Sequence, residues 1–240
     1  MGEPTFMTLK EFTHDSLERT GGQIRESTLR EYDGAMQDLI RVIGNADYQK
    51  VTLRDAEFYR QSCLDGGNSR ATVAKKLRHI KCVFETAVKR RQLDENPLEH
   101  IKMPKYTANE IRRYSNRECE RVVKAAHYLI QKRNKRTSLK WDLLILVALS
   151  TALRRGELLN CTWRDIDFEE QTIEVSPKAD TAETWEWQIK DTDRRTLPLT
   201  DELSQLLVDH HGGQPEGYPY VFVPPAIYDH IQQELRAKGK

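Results

Sequence analysis

Long hydrophobic runs are missing: no apolar stretch reaches the roughly 18 residues that a bilayer-spanning helix needs, so no membrane partner is expected. The opening Met1-Gly2-Glu3-Pro4-Thr5-Phe6 is too polar to read as a secretory leader, and the expected location is the cytoplasm. Cysteine is scarce and scattered. Cys63, Cys82, Cys119 and Cys161 make no CxxC pair, and the seven histidines give neither HExxH nor HxH. Zinc and redox sites need clustered ligands, so free thiols are expected and no metal or cofactor. Repeats and low-complexity tracts are absent as well. Net charge is only +1, which speaks against a uniform polycation, while 38% hydrophobic and 31% charged residues suit a folded globular chain.

The charge is unevenly placed, which matters more than its sum. Arg70 to Lys105 holds ten Lys/Arg against four Asp/Glu, and Glu110 to Lys140 ten against three. Acidic residues dominate Asp165 to Glu186. Positive charge is therefore concentrated around the middle of the chain.

The first half reads as helices alone. Ser27 is the expected cap of a helix whose apolar positions Leu29, Tyr32, Met36, Leu39, Ile40 and Ile43 recur at helical spacing up to Gly44. Thr52 caps a second helix through Leu64. Asn68 or Ser69 caps a third that reaches about Arg91, with the stripe Val73, Leu77, Ile80, Phe84, Ala87 and Val88. Asn96-Pro97 closes this run, since the residue before proline is disfavoured in a helix. Met103 to Ser115 has little periodicity and reads as a linker, giving domains 1–104 and 116–240 with 105–115 between them. Beyond it, a helix Asn116–Gln131, a basic turn Lys132–Arg136, a strongly apolar buried helix Trp141–Ser150 and a helix Leu153–Cys161 are predicted. After Trp163 the character changes. Asp165–Asp167 and Thr172–Val175 read as short strands. Trp185–Lys190 alternates with period two and is expected to pair with Arg194–Leu199 across Asp191-Thr192-Asp193. Helices Asp201–Asp209, capped by Thr200, and Ala226–Ala237 follow, separated by the apolar segment Tyr220–Val223. The fold class is thus mainly α with a small antiparallel β-sheet.

Thr151-Ala152-Leu153-Arg154-Arg155-Gly156-Glu157-Leu158-Leu159, followed by Trp163-Arg164-Asp165-Ile166, resembles the first box of the tyrosine recombinases, the phage-integrase family. That box carries glycine where Ala152 stands, a tolerable change if the position is not at positive φ. Lys190, eight residues ahead of Pro198 in Lys190…Arg195-Thr196-Leu197-Pro198-Leu199, resembles the family's hairpin lysine, with Lys178 a weaker competitor. Helices 28–43, 52–64 and 68–98 resemble the family's four-helix core-binding domain, including its Asn-Pro ending. The resemblance spans about residues 25 to 225. It implies a SAM-like helical core-binding domain followed by part of an α+β tyrosine-recombinase catalytic domain.

The resemblance further implies strand exchange on double-stranded DNA through a 3′-phosphotyrosine, by tetramers on paired sites. Arg154 becomes a catalytic arginine, because a planar guanidinium meets a phosphate with two parallel hydrogen bonds. Glu157 supports it, and Lys190 serves as general acid to the leaving 5′-oxygen. Arg70, Thr72, Lys75, Lys76 and His79 line a helix face suited to phosphate and groove contact, and Arg112, Arg113 and Arg117 are placed to follow the backbone. The family's second box, H-x-L-R-H, does not occur in these 240 residues, and His230 is not followed by its arginine. Tyr218, Tyr220 and Tyr228 read as packing residues. The expectation is a truncated chain that holds half of an active site and does not cleave DNA alone. Two alternatives stay open: a non-enzymatic DNA-binding protein derived from an integrase, and a helical interaction module whose basic face meets an acidic protein.

Overall fold

A computed structural model describes residues 6–107, 110, 112–132, 139–190 and 193–237, with the side chains of 129–132 left out. The chain divides into two compact units, Met1–Glu110 and Ile111–Lys240.

The first unit is built from α1 (Leu9–Thr20), α2 (Glu26–Ile43), α3 (Leu53–Asp65) and α4 (Arg70–Lys89). Helix α1 lies outside the sequence expectations. It starts at a capping box in which Thr8 Oγ1 accepts from the Glu11 amide and the Glu11 carboxylate accepts from the Thr8 amide. Thr52 with Asp55 does the same for α3, and Ser69 caps α4 by accepting from the Thr72 amide. The predicted Ser27 cap is a correction: α2 begins one residue ahead of it, with Arg25 at the cap and no side-chain bond there. The expected stripe of α4 faces inward, with Val73, Leu77, Ile80, Phe84 and Ala87 all buried against Phe12, Met36, Leu39 and Tyr59. Phe12 is central to this core, stacking on Tyr48 at 4.5 Å and tilting against Phe84 at 5.2 Å between ring centres. Asn96 closes the unit, donating to the Lys81 carbonyl while accepting from the Leu98 amide.

The second unit comprises α5 (Asn116–Lys132), α6 (Trp141–Thr151), α7 (Arg155–Leu159), β1 (Ile166–Asp167), β2 (Thr172–Val175), β3 (Arg195–Pro198), α8 (Asp201–Gly212) and α9 (Pro225–Ala237). Its sheet is antiparallel in the order β1-β2-β3, with Ile173 opposite both Ile166 and Leu197, and Val175 opposite Arg195. Ile173 and Val175 join Leu143, Val147, Leu158, Leu203, Leu207 and Phe222 in one apolar core.

Three expectations need correcting here. First, β3 pairs with β2 rather than with Trp185–Lys190, which forms no strand and makes one isolated bridge, Trp187 to Lys178. The alternation itself is real: Trp185 and Trp187 are half-buried and Ile189 is buried, while Glu186, Gln188 and Lys190 are exposed. It is satisfied by packing instead of a ladder. Second, α6 is not a buried helix. Only Leu143, Val147 and Thr151 are buried, because a helix apolar on all sides needs cover on all sides, and α5 and α8 reach only part of it. Third, Ala152 does sit at positive φ (53°), as the left-handed cap that ends α6. A Cβ there costs energy that glycine avoids. Of the predicted turns, Asp191 and Thr192, and all of Lys132–Arg136 but Lys132, lie outside the described residues. No described helix is long and apolar enough to cross a membrane.

Candidate functional site

Arg154 follows directly from the left-handed turn, at the cap of α7. Glu157 stands one turn on, and its side chain is only 3% exposed. A carboxylate so deeply buried needs compensation, and two arginines supply it. Arg195, on β3, donates from Nη2 to Oε2 at 2.6 Å and from Nη1 to Oε1 at 3.2 Å. Arg154 donates its backbone amide to Oε2 at 2.8 Å and its Nη1 to Oε1 at 3.2 Å. Burial pushes the Glu157 pKa up, but the bonds from Arg195 and Arg154 outweigh it and hold the carboxyl below its ordinary value. The Glu157 bonds raise the pKa of Arg195 in turn. The Arg154 side chain remains 52% exposed, whereas that of Arg195 is 25% exposed.

The structure thus joins Arg154 and Glu157 as the sequence suggested, and adds Arg195, which sequence reasoning missed. Its signal was the Arg195-Thr196-Leu197-Pro198-Leu199 motif, read only as a landmark for Lys190.

Lys190 is exposed and follows the buried Ile189. The segment that leads to it is fastened to α7 from both tryptophans: Trp185 Nε1 donates to Asn160 Oδ1 at 2.7 Å, and Trp187 lies over Gly156. Arg154 and Lys190 are therefore referenced to the same short helix. Lys178, the weaker competitor, is enclosed by its surroundings. Its ammonium, 10% exposed, donates to Asp165 Oδ1 at 2.8 Å and to the Ser176 carbonyl at 2.7 Å. It neutralises a buried carboxylate that also caps the Trp163 turn through Thr162.

In the first unit, Arg70, Thr72 and Lys75 are exposed on α4. Lys75 pairs with Glu31 of α2 at 2.7 Å, and Lys76 with Asp38 at 2.5 Å. His79 packs on Tyr32 with ring centres 5.2 Å apart; burial lowers its pKa, and Glu31 at 3.6 Å opposes that shift. The α4 cations are thus interleaved with α2 carboxylates, while the exposed Arg78 donates to the Ala74 carbonyl of its own helix. Arg112 and Arg113 are exposed, and Arg112 pairs with Glu118 at 2.6 Å.

The tyrosines are occupied. Tyr218 donates to the Val223 carbonyl at 2.5 Å and Tyr228 to the Glu183 carbonyl at 2.8 Å, while Tyr220 accepts from the Trp185 amide at 3.2 Å. Burial raises the pKa of all three, the opposite of what a nucleophile needs. No cluster of metal-ligating side chains occurs among the described residues.

A helical unit is thus followed by a mixed unit that carries a braced, half-exposed arginine. Residues 112–224 match the model of the phage integrase family. Over that stretch the chain is similar to the phage integrases. An integrase/recombinase homologue of Haemophilus influenzae is 27% identical over 171 residues, covering 70% of this chain and 44% of its own. The ICEBs1 integrase of Bacillus subtilis is 28% identical, covering 51% and 31% respectively. The chain thus spans less than half the length of these curated relatives. Among solved structures, the Tn1549 transposon integrase in complex with a circular intermediate DNA aligns with a TM-score of 0.68 at 21% identity, over 91% of this chain and 69% of that one. Lambda integrase bound to DNA aligns at 0.64 and 16% identity, over 98% and 79%. These structural likenesses establish the fold.

Proposed function

We propose that this chain is the DNA-engaging portion of a site-specific tyrosine recombinase of a mobile element, with double-stranded DNA as its partner in the cytoplasm. The observation that carries the reading is Arg154, a half-exposed guanidinium braced by a buried carboxylate. A preorganised donor of this kind suits the non-bridging oxygens of a scissile phosphate, where charge shifts during transfer. In this reading Lys190, which follows a segment fastened to the same helix, protonates the leaving 5′-oxygen. A core-binding domain, 1–104, with the 105–115 linker after it, contributes backbone contacts from Arg70, Thr72, Lys75, Lys76 and His79, joined by Arg112 and Arg113. Tetramers on paired sites belong to the same reading.

A second reading, DNA binding without chemistry, is favoured by the three engaged tyrosine hydroxyls. With no H-x-L-R-H box in these 240 residues, we expect binding without a covalent protein–DNA adduct. Fluorescence anisotropy on duplex DNA across a salt series tests the common ground. Log affinity should fall linearly with log salt, and Lys75→Ala with Lys76→Ala should weaken binding and flatten the slope. No binding at low salt would overturn both readings and leave the basic face to an acidic protein. A nicked suicide duplex separates the two: an adduct resistant to denaturing electrophoresis would show that the chain carries its own nucleophile.

A further inference from the structure

The α4 face that we assign to DNA has a carboxylate set into it. Glu31, on α2, stands between two of the α4 side chains: Oε1 accepts from Lys75 Nζ at 2.7 Å, and Oε2 lies 3.6 Å from His79 Nε2. About half of each side chain in the Lys75–Glu31 pair is exposed, so the pair lies where a ligand can compete for it. The neighbouring pair is of another kind. Lys76 and Asp38 are about three-quarters covered, Lys76 also reaches Asn68 Oδ1 at 3.4 Å, and Asp38 also takes Arg41, so that pair joins α2 to α4. Glu26, again on α2, pairs with Arg30 of its own helix at 3.5 Å.

A phosphate approaching Lys75 is attracted by the ammonium and repelled by Glu31 beside it, and at a distance the two nearly cancel. A gain remains for a phosphate placed well enough to take the ammonium over in a charge-assisted bond. A duplex docked in register offers such a phosphate, and one in passing contact does not. The hydrogen bond from Lys75 holds the Glu31 carboxyl below its ordinary pKa, so this charge persists through the neutral range.

We propose that Glu31 is a specificity-determining residue: it competes with phosphate for Lys75, weakens attachment to duplex DNA in general, and so reserves tight binding for sites that fit. This rests on the reading of α4 as a DNA-contacting face.

The test uses the full chain and a fluorescent random-sequence duplex in a salt series, with Glu31→Gln and Lys75→Ala as a double-mutant cycle. Both side chains are exposed, so each variant should keep the wild-type dichroism. Glu31→Gln should bind this duplex about three- to fivefold more tightly, the scale of one exposed ion pair. It should also steepen the log–log salt slope by about 0.9, as one more cation meets phosphate. Lys75→Ala should cost more affinity in Glu31→Gln protein than in wild type, because the competitor is then gone. Glu26→Gln removes the same charge away from α4 and should leave the cost of Lys75→Ala at its wild-type value. Repeated selection from a pool of random duplexes should enrich sequences less with Glu31→Gln than with wild type. Equal costs of Lys75→Ala with and without Glu31, or equal enrichment, overturns the proposal and leaves DNA binding standing. No binding by any variant at low salt overturns the reading of α4, and the proposal with it.

Discussion

The two units solve the burial problem in different ways. In the first, α1 to α4 each turn one apolar stripe inward and cover one another, so that Leu9, Phe12, Met36, Tyr59, Leu77, Ile80 and Phe84 are wholly buried. In the second, α6 is apolar all round yet buries three side chains, and α9 buries none. Part of the burial there goes to charge instead: Glu157 between two arginines, and Asp165 against Lys178. Apolar packing gives stability at little cost, whereas buried ion groups give position and contribute little net stability. The comparison teaches that the first unit is held chiefly by its apolar core, whereas the second spends stability on placing charged side chains.

All four tryptophans, Trp141, Trp163, Trp185 and Trp187, belong to the second unit. Tryptophan fluorescence therefore follows that unit alone, while far-ultraviolet circular dichroism follows both. The sharpest break is Phe12→Ala, which should cost the first unit about 3–5 kcal/mol. It should shift the dichroism transition and leave the fluorescence transition in place; movement of both would mean that the units unfold as one. Next, Glu157→Ala should lower the fluorescence midpoint by about 2 kcal/mol, a figure reduced because Arg154 is half in solvent. The pH dependence has a definite sign. Glu157 is held below its unfolded pKa, so the unfolded chain binds the extra proton. Its contribution is complete above the unfolded value, about 4.3, and is lost as the pH falls through the folded one. Glu157→Gln should flatten that acid limb, and an unchanged limb would remove the linkage. Ala152→Gly should raise the fluorescence midpoint by about 1 kcal/mol, since glycine accepts φ of 53° without the Cβ clash. Smallest of all, Lys75→Ala should leave the dichroism midpoint within about 0.5 kcal/mol, its partner Glu31 being exposed too. That variant separates charge for DNA from charge for folding.

Much of this was legible in the sequence because it was local. The stripe of α4 and the caps at Thr52 and Ser69 are read from residues within a turn or two of one another. Helix α1 escaped because its buried face includes Thr13 and Ser16 beside Leu9 and Phe12, so hydrophobic spacing is broken. The Thr8-Leu9-Lys10-Glu11 capping signature was nonetheless there to be read. The partner of β3 escaped for a different reason. Alternation in Trp185–Lys190 records which side chains face inward, and packing against α7 produces the same pattern as a strand. Ala152 depended on a backbone angle that composition does not carry. The Glu157–Arg195 contact joins residues 38 apart, and only the register of β3 on β2 brings them together.

The anchoring of Lys190 has a consequence in polymer terms. Lys190 directly follows Ile189, which is buried in the core of the second unit. Neighbouring Cα atoms stand about 3.8 Å apart across a trans peptide, and Lys190 is one such step from its anchor. Its Cα is therefore nearly as confined as the anchor itself. Any movement of the ammonium therefore belongs to the side chain, not to the backbone. What the side chain can reach is thus set by the buried anchor before it, and loosening Ile189 should widen that range.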